Sequence, residues 1–291
     1  MLRDQERIRS QGHHSPRSLR HRRVRTETAM SGLNLTMLPE AGSRVVVAGG
    51  CGGIGKILVK VCVDHRMDVT VLDTPSAIES AEAIEGVSYV AFDGRDPESI
   101  ERAVNAVAAR HDGLECLFFL SGFPIIPRRP LSEVPIDKWN ELMSVNLTSA
   151  YLLVNGLSPL LKRGREPAIV TVASSLAYQV MPGMSAYAAS KGGLISLTKA
   201  FAAELAPTVR ANSVAPGAVD TDFLSGGTGR VEDKGARCWF DDISAKYVAS
   251  IPLGRVANEQ DVVGPMLFLA GQGSRYMTGQ VLHLNGGRLT P

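Results

Sequence analysis

The clearest chemical pattern in the chain joins a serine, a tyrosine and a lysine. Ser174 follows an apolar run at residues 168–173, Tyr187 comes thirteen residues later, and Lys191 lies four residues beyond Tyr187. A spacing of four places Tyr187 and Lys191 on one face of a helix. A tyrosine has an unperturbed pKa of about 10, and a neighbouring ammonium lowers that pKa because it favours the phenolate. The pattern predicts a tyrosine that exchanges protons near neutral pH; a solvated helix face is the alternative interpretation of the pair alone.

A second pattern is the group of glycines within residues 49–55, between the first predicted strand and the first predicted helix. Glycines let a backbone approach a pyrophosphate closely, and the N-terminus of the following helix attracts its negative charge. Asp73 ends the second predicted strand. A carboxylate there accepts hydrogen bonds from the hydroxyls of an adenosine ribose and repels a 2′-phosphate, which favours NAD over NADP. The alternatives are an ordinary tight turn for the glycines and a turn or capping role for Asp73 before Pro75.

The elements that must position these residues alternate along the chain. Strands are predicted at residues 44–48, 68–72, 87–92, 116–120, 168–173, 209–214 and 280–284, and helices at 54–65, 97–111, 137–162, 185–206 and 259–270. Strands separated by helices pair in parallel through right-handed crossovers. We therefore expect an α/β, Rossmann-type fold: a single doubly wound parallel sheet of about seven strands, with helices on both faces.

Two stretches depart from this regular alternation. Residues 1–30 hold eight arginines against three acidic residues and almost no apolar periodicity. We expect either a disordered leader or a start assigned in error upstream of Met30, with residues 31–291 forming the dinucleotide-binding and catalytic domain. Residues 219–250 hold four glycines together with Phe223, Trp239 and Phe240, which is typical of a substrate lid.

Composition and charge exclude several classes of protein. Of the 291 residues, 44% are hydrophobic and 21% charged, and no apolar run is long enough for a transmembrane helix. The net charge is +2, but the leader carries +5, so the remaining 261 residues carry −3 and do not suit nucleic-acid binding. The four cysteines lie far apart, which indicates neither a metal site nor a disulfide framework. We expect a cytoplasmic protein with no nucleic-acid or membrane partner.

Taken together, the motifs resemble the short-chain dehydrogenase/reductase family over about residues 43–287. The terminal stretch at residues 278–287 and the pair Pro216-Gly217 complete the resemblance, because the motifs stand in the family's order. The resemblance implies catalytic roles for Asn146, Ser174, Tyr187 and Lys191, and cofactor-binding roles for Gly49, Gly53, Ile54, Gly55, Asp73, Asp93, Gly122, Tyr187, Lys191, Pro216, Gly217 and Thr221.

The individual roles also follow from the resemblance. Tyr187 would be the general acid/base, Lys191 would lower its pKa and hold the nicotinamide ribose, and Ser174 would hydrogen-bond the carbonyl. Asn146 would hold a water that relays protons to Lys191. Asp93 would face the adenine, and Pro216-Gly217 with Thr221 would flank the nicotinamide.

The chain departs from the family pattern at two places. Phe119-Leu120-Ser121-Gly122 stands where the family usually has Asn-Asn-Ala-Gly, and Ala48 stands where a threonine usually opens the glycine motif. The lost amides put the usual bracing beneath the cofactor in doubt. Ser175 adjoins Ser174, so the choice of serine rests on the thirteen-residue spacing alone.

These observations predict an NAD-dependent oxidoreductase that interconverts a small-molecule secondary alcohol and a ketone by hydride transfer. The alternatives are a 3-oxoacyl-carrier-protein reductase-like enzyme and a non-catalytic dinucleotide-binding protein. The substrate stays open among aliphatic, cyclic, sugar and steroid-like alcohols. The resemblance also implies a homo-oligomer, with a tetramer favoured, formed through helices 137–162 and 185–206. Their apolar residues beyond the sheet-facing side are Trp139, Leu142, Met143, Tyr151, Leu152 and Phe201.

Overall fold

The computed structural model describes residues 37–225 and 245–290. The strands are β1 (Arg44–Ala48), β2 (Asp68–Asp73), β3 (Ser88–Ala91), β4 (Cys116–Phe119), β5 (Ala168–Val172), β6 (Arg210–Pro216) and β7 (Val281–Leu284). The helices are α1 (Gly53–Asp64), α2 (Pro75–Ser80), α3 (Pro97–Arg110), α4 (Ile136–Met143), α5 (Ser149–Leu161), α6 (Ser185–Leu205) and α7 (Glu259–Ala270).

The strands form one parallel sheet in the order β3-β2-β1-β4-β5-β6-β7. The chain runs outward from β1 to β3, then returns to place β4 on the other side of β1. Loops leaving the carboxyl ends of β1 and β4 therefore diverge and open a crevice at this edge. The predicted α/β fold with a doubly wound, seven-stranded parallel sheet is confirmed.

Burial on both faces explains the continuous apolar strands. Val45 and Val47 of β1 pack into the core beneath α1 and α7, while Val46 and Ala48 pack into the core beneath α3, α5 and α6. All four side chains are fully buried. Such strands read as unbroken apolar runs because successive side chains point to opposite faces and both faces are covered.

The sequence pattern did not predict two local features. The helix expected at residues 137–162 is interrupted by a π-helical stretch, Ser144–Thr148, between α4 and α5. The short helix α2 follows Asp73 directly; Thr74 is its N-cap and accepts a hydrogen bond from the Ala77 amide, with Pro75 at the first turn. A proline at this position is compatible with a helix because the missing N–H has no intrahelical partner.

Several expectations lie wholly or partly outside the described residues. The leader at 1–30 and most of the lid at 219–250, including Trp239 and Phe240, belong to this group. None of the described helices combines the length and apolarity needed to span a bilayer.

The predicted oligomer surface needs a correction, because Leu142 and Phe201 are buried within their own subunit. Tyr151, in contrast, is 50% exposed.

Candidate active site

A cleft of about 920 Å³ opens at the carboxyl ends of the strands. The loops after β1, β2, β4, β5 and β6 and the start of α6 line this cleft. Most of the residues expected from the sequence line it: Gly49, Gly53, Ile54, Gly55, Asp73, Asp93, Gly122, Ser174, Tyr187, Lys191, Pro216, Gly217 and Thr221. Asn146 does not line the cleft and lies fully buried behind it.

Ser174 and Tyr187 meet in this cleft. Ser174 leaves the end of β5, and its hydroxyl accepts a hydrogen bond of 3.2 Å from the Leu176 amide. Ser174 is also close enough to Tyr187, near the start of α6, to lower the pKa of the tyrosine. Although Ser175 also lines the cleft, the contact with Tyr187 is made by Ser174. The geometry therefore selects Ser174 over its neighbour.

Lys191 lies one helical turn after Tyr187 and faces the same space. Its ammonium donates a hydrogen bond of 2.8 Å to the Val172 carbonyl at the end of β5. The ammonium is 5.8 Å from the centroid of the Tyr187 ring. The predicted shared helix face is confirmed, and a backbone carbonyl of the neighbouring strand fixes the lysine in place.

Asn146 sits inside the π-helical stretch and ties that stretch to the loop after β4. The Phe123 amide donates to Asn146 Oδ1 at 3.0 Å, and Asn146 Nδ2 donates to the Phe123 carbonyl at 3.0 Å and to Ser190 Oγ at 3.1 Å. Both amide hydrogens are therefore used, and Oδ1 keeps one lone pair. π-helical turns within α-helices occur frequently at functional sites.

Gly122 is the point where Asn146 and Lys191 converge. A methyl group built on Gly122 would lie 3.1 Å from Asn146 Oδ1 and 3.1 Å from Lys191 Nζ. Only a residue without a side chain leaves both groups undisturbed. The one residue retained from the usual Asn-Asn-Ala-Gly motif is thus the one against which these two side chains pack.

Burial dominates the electrostatics of the tyrosine and lysine. It raises the pKa of Tyr187 above the ordinary value, and the hydrogen bond from Ser174 partly offsets that rise. Burial also lowers the pKa of Lys191 to about 7. Lys191 is not among the causes that shift the pKa of Tyr187, so the lowering expected from the sequence stays a prediction.

The glycine loop shapes the other end of the cleft. Gly49 has a φ of +84°, and a methyl group there would lie 2.8 Å from the Ser121 amide nitrogen. A methyl group on Gly53 would lie 2.7 Å from Thr221 Cγ2, so Thr221 lies directly against the first residue of α1. This loop presents bare backbone at the N-terminus of a twelve-residue helix, which fits a pyrophosphate.

Asp73 lies at the end of β2 beside that loop. Its Oδ2 accepts a hydrogen bond of 2.9 Å from the Cys51 amide, and its Oδ1 accepts one of 2.9 Å from the Thr74 amide. Burial raises the pKa of Asp73, and these backbone donors lower it in part. A carboxylate offers about four lone-pair sites, so acceptors remain for ribose hydroxyls. The donors and acceptors at this end fit an adenine dinucleotide.

Asp93 also lines the cleft, but as half of an ion pair. Its carboxylate accepts hydrogen bonds from the Arg95 side chain, the shortest being 2.7 Å.

The loop after β4 lacks the amides that the family usually has there, and other hydrogen bonds hold it in place. The Leu120 amide donates to the Ala48 carbonyl at 2.8 Å, and Asn146 holds Phe123 by two bonds.

Other residues of the cleft were not assigned to catalysis or cofactor binding, although Phe223 and Tyr247 fall within the lid expected at residues 219–250. Phe223 lies against Tyr187, with 6.0 Å between ring centroids. Met181, Tyr247 and Arg288 line the same end of the cleft. No spacing rule identifies Met181 or Arg288, which come from the segments after β5 and β7. Residues 37–225 and 245–290 contain no group of three His, Cys, Asp or Glu side chains placed to hold a metal ion.

Comparisons with known proteins agree with this geometry. Residues 49–288 match a family model described as "Enoyl-(Acyl carrier protein) reductase". The chain is 32% identical over 253 residues to the 3-oxoacyl-[acyl-carrier-protein] reductase of Chlamydia pneumoniae, covering 84% of this chain and 96% of that protein. It is 31% identical over 255 residues to the corresponding enzyme of Aquifex aeolicus, covering 84% and 97%.

Solved structures share the fold. One is a 3-ketoacyl-(acyl-carrier-protein) reductase from Brucella melitensis complexed with NADH, with a TM-score of 0.73, 25% identity and coverage of 85% of this chain and 98% of that one. The aldohexose dehydrogenase of Thermoplasma acidophilum has a TM-score of 0.75 at 23% identity, with coverage of 86% and 98%. The family match covers the cleft and six of the seven strands, so the chain belongs to the short-chain dehydrogenase/reductase family and is an NAD(P)-dependent oxidoreductase.

Proposed function

We propose that this oxidoreductase interconverts a secondary alcohol and a ketone with NAD as cofactor, and that Tyr187 exchanges the proton. The observation that carries this proposal is the placement of Ser174, Tyr187 and Lys191 together in the wall of the cleft, with Ser174 close enough to Tyr187 to lower its pKa. Two hydroxyls placed together can both reach one substrate oxygen. A structural serine–tyrosine pair would not need a lysine and a glycine loop at the same opening.

The residues around the reacting oxygen have separate roles. During reduction Tyr187 gives its hydroxyl proton to the carbonyl oxygen and becomes a phenolate; during oxidation that phenolate takes the proton from the alcohol hydroxyl. Ser174 donates a hydrogen bond to the same oxygen and stabilises its developing negative charge. When bound, the nicotinamide accepts or donates the hydride. Lys191, whose pKa is about 7, can take up and release protons at neutral pH.

Asn146 acts as a positioning residue in this proposal. Its amide is committed to Phe123 and Ser190, so it fixes the loop after β4 and the middle of α6 relative to each other. The remaining lone pair of Oδ1 is the atom available to hold a relayed water. Phe223, packed on the ring of Tyr187, excludes bulk water from one side of the tyrosine.

The preference for NAD rests on Asp73. A 2′-phosphate placed against this carboxylate would meet like charge in a half-buried site, where repulsion is poorly screened. The two ribose hydroxyls of NAD instead donate to its remaining lone pairs. A solved relative at 25% identity is complexed with NADH, which is compatible with this preference.

A 3-oxoacyl-carrier-protein reductase activity is the second candidate function. The observation in its favour is the 32% identity to a relative of that name. Its substrate would be a 3-oxoacyl thioester. We rank it second because the described residues give no reason for a thioester over a simpler ketone.

An absorbance screen at the NADH band tests both candidates. Aliphatic, cyclic and sugar alcohols are oxidised with NAD or NADP, and the matching ketones and a 3-oxoacyl thioester are reduced with NADH or NADPH. We expect turnover of at least one simple alcohol–ketone pair, with higher kcat/KM for NAD. Turnover of the thioester alone would establish the second candidate, and a complete lack of turnover with intact NADH binding would contradict both.

A further inference from the structure

Arg288 is a cation at the substrate end of the cleft that the proposed reaction does not use. It follows the glycine pair after β7, and its side chain is partly buried. The lining of the same cleft includes the apolar side chains of Met181, Met184 and Phe223.

The partners that hold Arg288 are all neutral. Its Nε donates to Ser250 Oγ at 3.0 Å, its Nη1 donates to Gln179 Oε1 at 3.2 Å, and the guanidinium lies 4.8 Å from the centroid of the Tyr247 ring. Within residues 37–225 and 245–290, no carboxylate forms an ion pair with it. A guanidinium carries five N–H donors, so three remain for a ligand.

Two other cations on the cleft wall, Arg95 and Lys138, differ in this respect. Arg95 is paired with the carboxylate of Asp93 and lies 3.8 Å from Glu141, and Lys138 pairs with Glu141 at 3.2 Å. Their charges are therefore neutralised locally. Arg288 presents a positive charge that its own neighbours in the described structure do not balance, and a bound anion would balance it.

The contacts of Arg288 connect it to two segments of the active-site wall. Gln179 belongs to the short turn that begins at Ser174, and its amide donates to the Ser175 carbonyl at 3.0 Å. On the other side, the Tyr247 hydroxyl accepts a hydrogen bond of 3.2 Å from the Ala218 amide, directly after Gly217. Arg288 is thus anchored to the segment that carries the catalytic serine and to the segment that follows β6.

We propose that Arg288 determines specificity by binding a carboxylate on the substrate, so that the enzyme acts on hydroxy acids and oxo acids. The inference rests on the proposed function and names its substrate class. A guanidinium matches a carboxylate by two parallel N–H···O bonds, which fixes orientation as well as affinity. Anchored in this way, the hydroxyl or carbonyl carbon of the substrate is presented to Ser174 and Tyr187 at a defined distance from the charged end.

Reduction of matched oxo acids and amides tests this role. The probes are 3-oxobutanoate, 4-oxopentanoate and 5-oxohexanoate, each compared with its own amide, with NADH as cofactor. We expect the wild type to favour at least one acid over its amide in kcat/KM, and Arg288→Gln to reduce that preference about 10- to 100-fold, since a charged hydrogen bond is lost. Arg288→Lys should give an intermediate preference, because it keeps the charge and loses the planar fork.

The control is Arg275→Gln, which removes an exposed arginine outside the cleft and should leave the acid-to-amide preference as in the wild type. An unchanged preference in Arg288→Gln would overturn the inference. So would weaker NADH binding in Arg288→Gln, because the arginine would then serve a cofactor phosphate.

Failure of the proposed function is recognised separately. If no ketone is reduced at all, the proposed activity is wrong, and the role of Arg288 is judged by ligand-induced thermal stabilisation of the NADH-loaded protein. A larger rise in melting temperature with 4-oxopentanoate than with its amide, lost in Arg288→Gln, would support an anion site. Equal shifts with acid and amide, or none, would overturn it.

Discussion

At the scale of single residues, we expect Asp73 to determine the preference for NAD over NADP. Asp73→Asn keeps one oxygen acceptor for the backbone amides and removes the negative charge. We expect the ratio of kcat/KM for NAD over NADP to fall at least about tenfold in this variant, because like-charge repulsion costs several kcal/mol. Initial rates with both cofactors give the ratio. A wild-type enzyme that already works better with NADP would show that Asp73 does not repel the 2′-phosphate.

Lys191 should leave a signature in the pH dependence of stability. Its pKa is about 7 in the folded protein and about 10.5 in the unfolded chain, so between these values the unfolded state binds more protons. Stability should therefore rise with pH from about 7 upward, with a slope of at most about 1.4 kcal/mol per pH unit. Urea unfolding at pH 7.0 to 8.5 measures the slope, and the contribution of the cysteines, whose unperturbed pKa is about 8.5, cancels in the comparison with the Lys191→Met variant.

Lys191→Met serves as the comparison for that slope. The substitution keeps an apolar chain of similar length in the same buried space and removes the titrating group. We expect the wild type to gain stability relative to Lys191→Met as the pH rises through this window. A constant difference between the two proteins would mean that the lysine stays protonated in the folded state.

Spacing alone identified Tyr187 and Lys191 as neighbours, since helix periodicity is local. It could not give the direction of their pKa shifts, because burial depends on the loops after β4 and β5 and on Phe223, which are remote in sequence. The position of Arg288 could not be predicted from local sequence either. Its contacts join Gln179, Tyr247 and Ser250, and no local pattern predicts that these three residues meet.

At the scale of elements, Gly122 joins the loop after β4 to the π-helical stretch and to α6. Gly122→Ala would push a methyl group against Asn146 Oδ1 and Lys191 Nζ, each 3.1 Å away. We expect kcat to fall roughly 10- to 100-fold, because small displacements of positioning groups are costly to catalysis. Steady-state rates at saturating cofactor measure the effect. An unchanged kcat would show that the two side chains tolerate displacement.

Gly264→Ala is the matched control at this scale. Gly264 lies in α7, and a methyl group there meets nothing within 4 Å. Pro265 follows Gly264, and a side chain before proline is disfavoured in helical backbone, so the usual stability gain of a glycine-to-alanine change is not expected here. We expect wild-type turnover from this variant, which separates the effect of a methyl group as such from its effect at Gly122.

The helices and strands themselves follow closely from hydrophobic periodicity. The expected helix at residues 259–270 coincides with α7, whose N-cap Asn258 forms a reciprocal capping box with Asp261. The π-helical stretch at Ser144–Thr148 was missed because one extra residue in a turn barely alters the apolar pattern. The short α2 was missed because Thr74-Pro75 is equally typical of a turn.

At the scale of the whole molecule, we predict a homo-oligomer, with a tetramer favoured, built through α4, α5 and α6. Tyr151 on α5 is 50% exposed, although apolar residues surround it on the helix. Light scattering should give a mass above that of one 31.1 kDa chain. Tyr151→Glu should lower that mass by placing a charge in the interface, whereas Tyr276→Glu, at a fully exposed position outside these helices, should not. A wild-type monomer at micromolar concentration would contradict the prediction.

Turnover and cofactor binding measured together in Tyr187→Phe test the proposed mechanism most directly. The variant removes one hydroxyl and keeps the ring that packs on Phe223. We expect kcat to fall about 10²- to 10⁴-fold, because proton transfer by a positioned group contributes that much. The Kd for NADH, followed by fluorescence, should stay within about threefold of the wild-type value, since that change is under 1 kcal/mol. Near-normal turnover would contradict the proton-transfer role, and a parallel loss of NADH binding would make Tyr187 a structural residue.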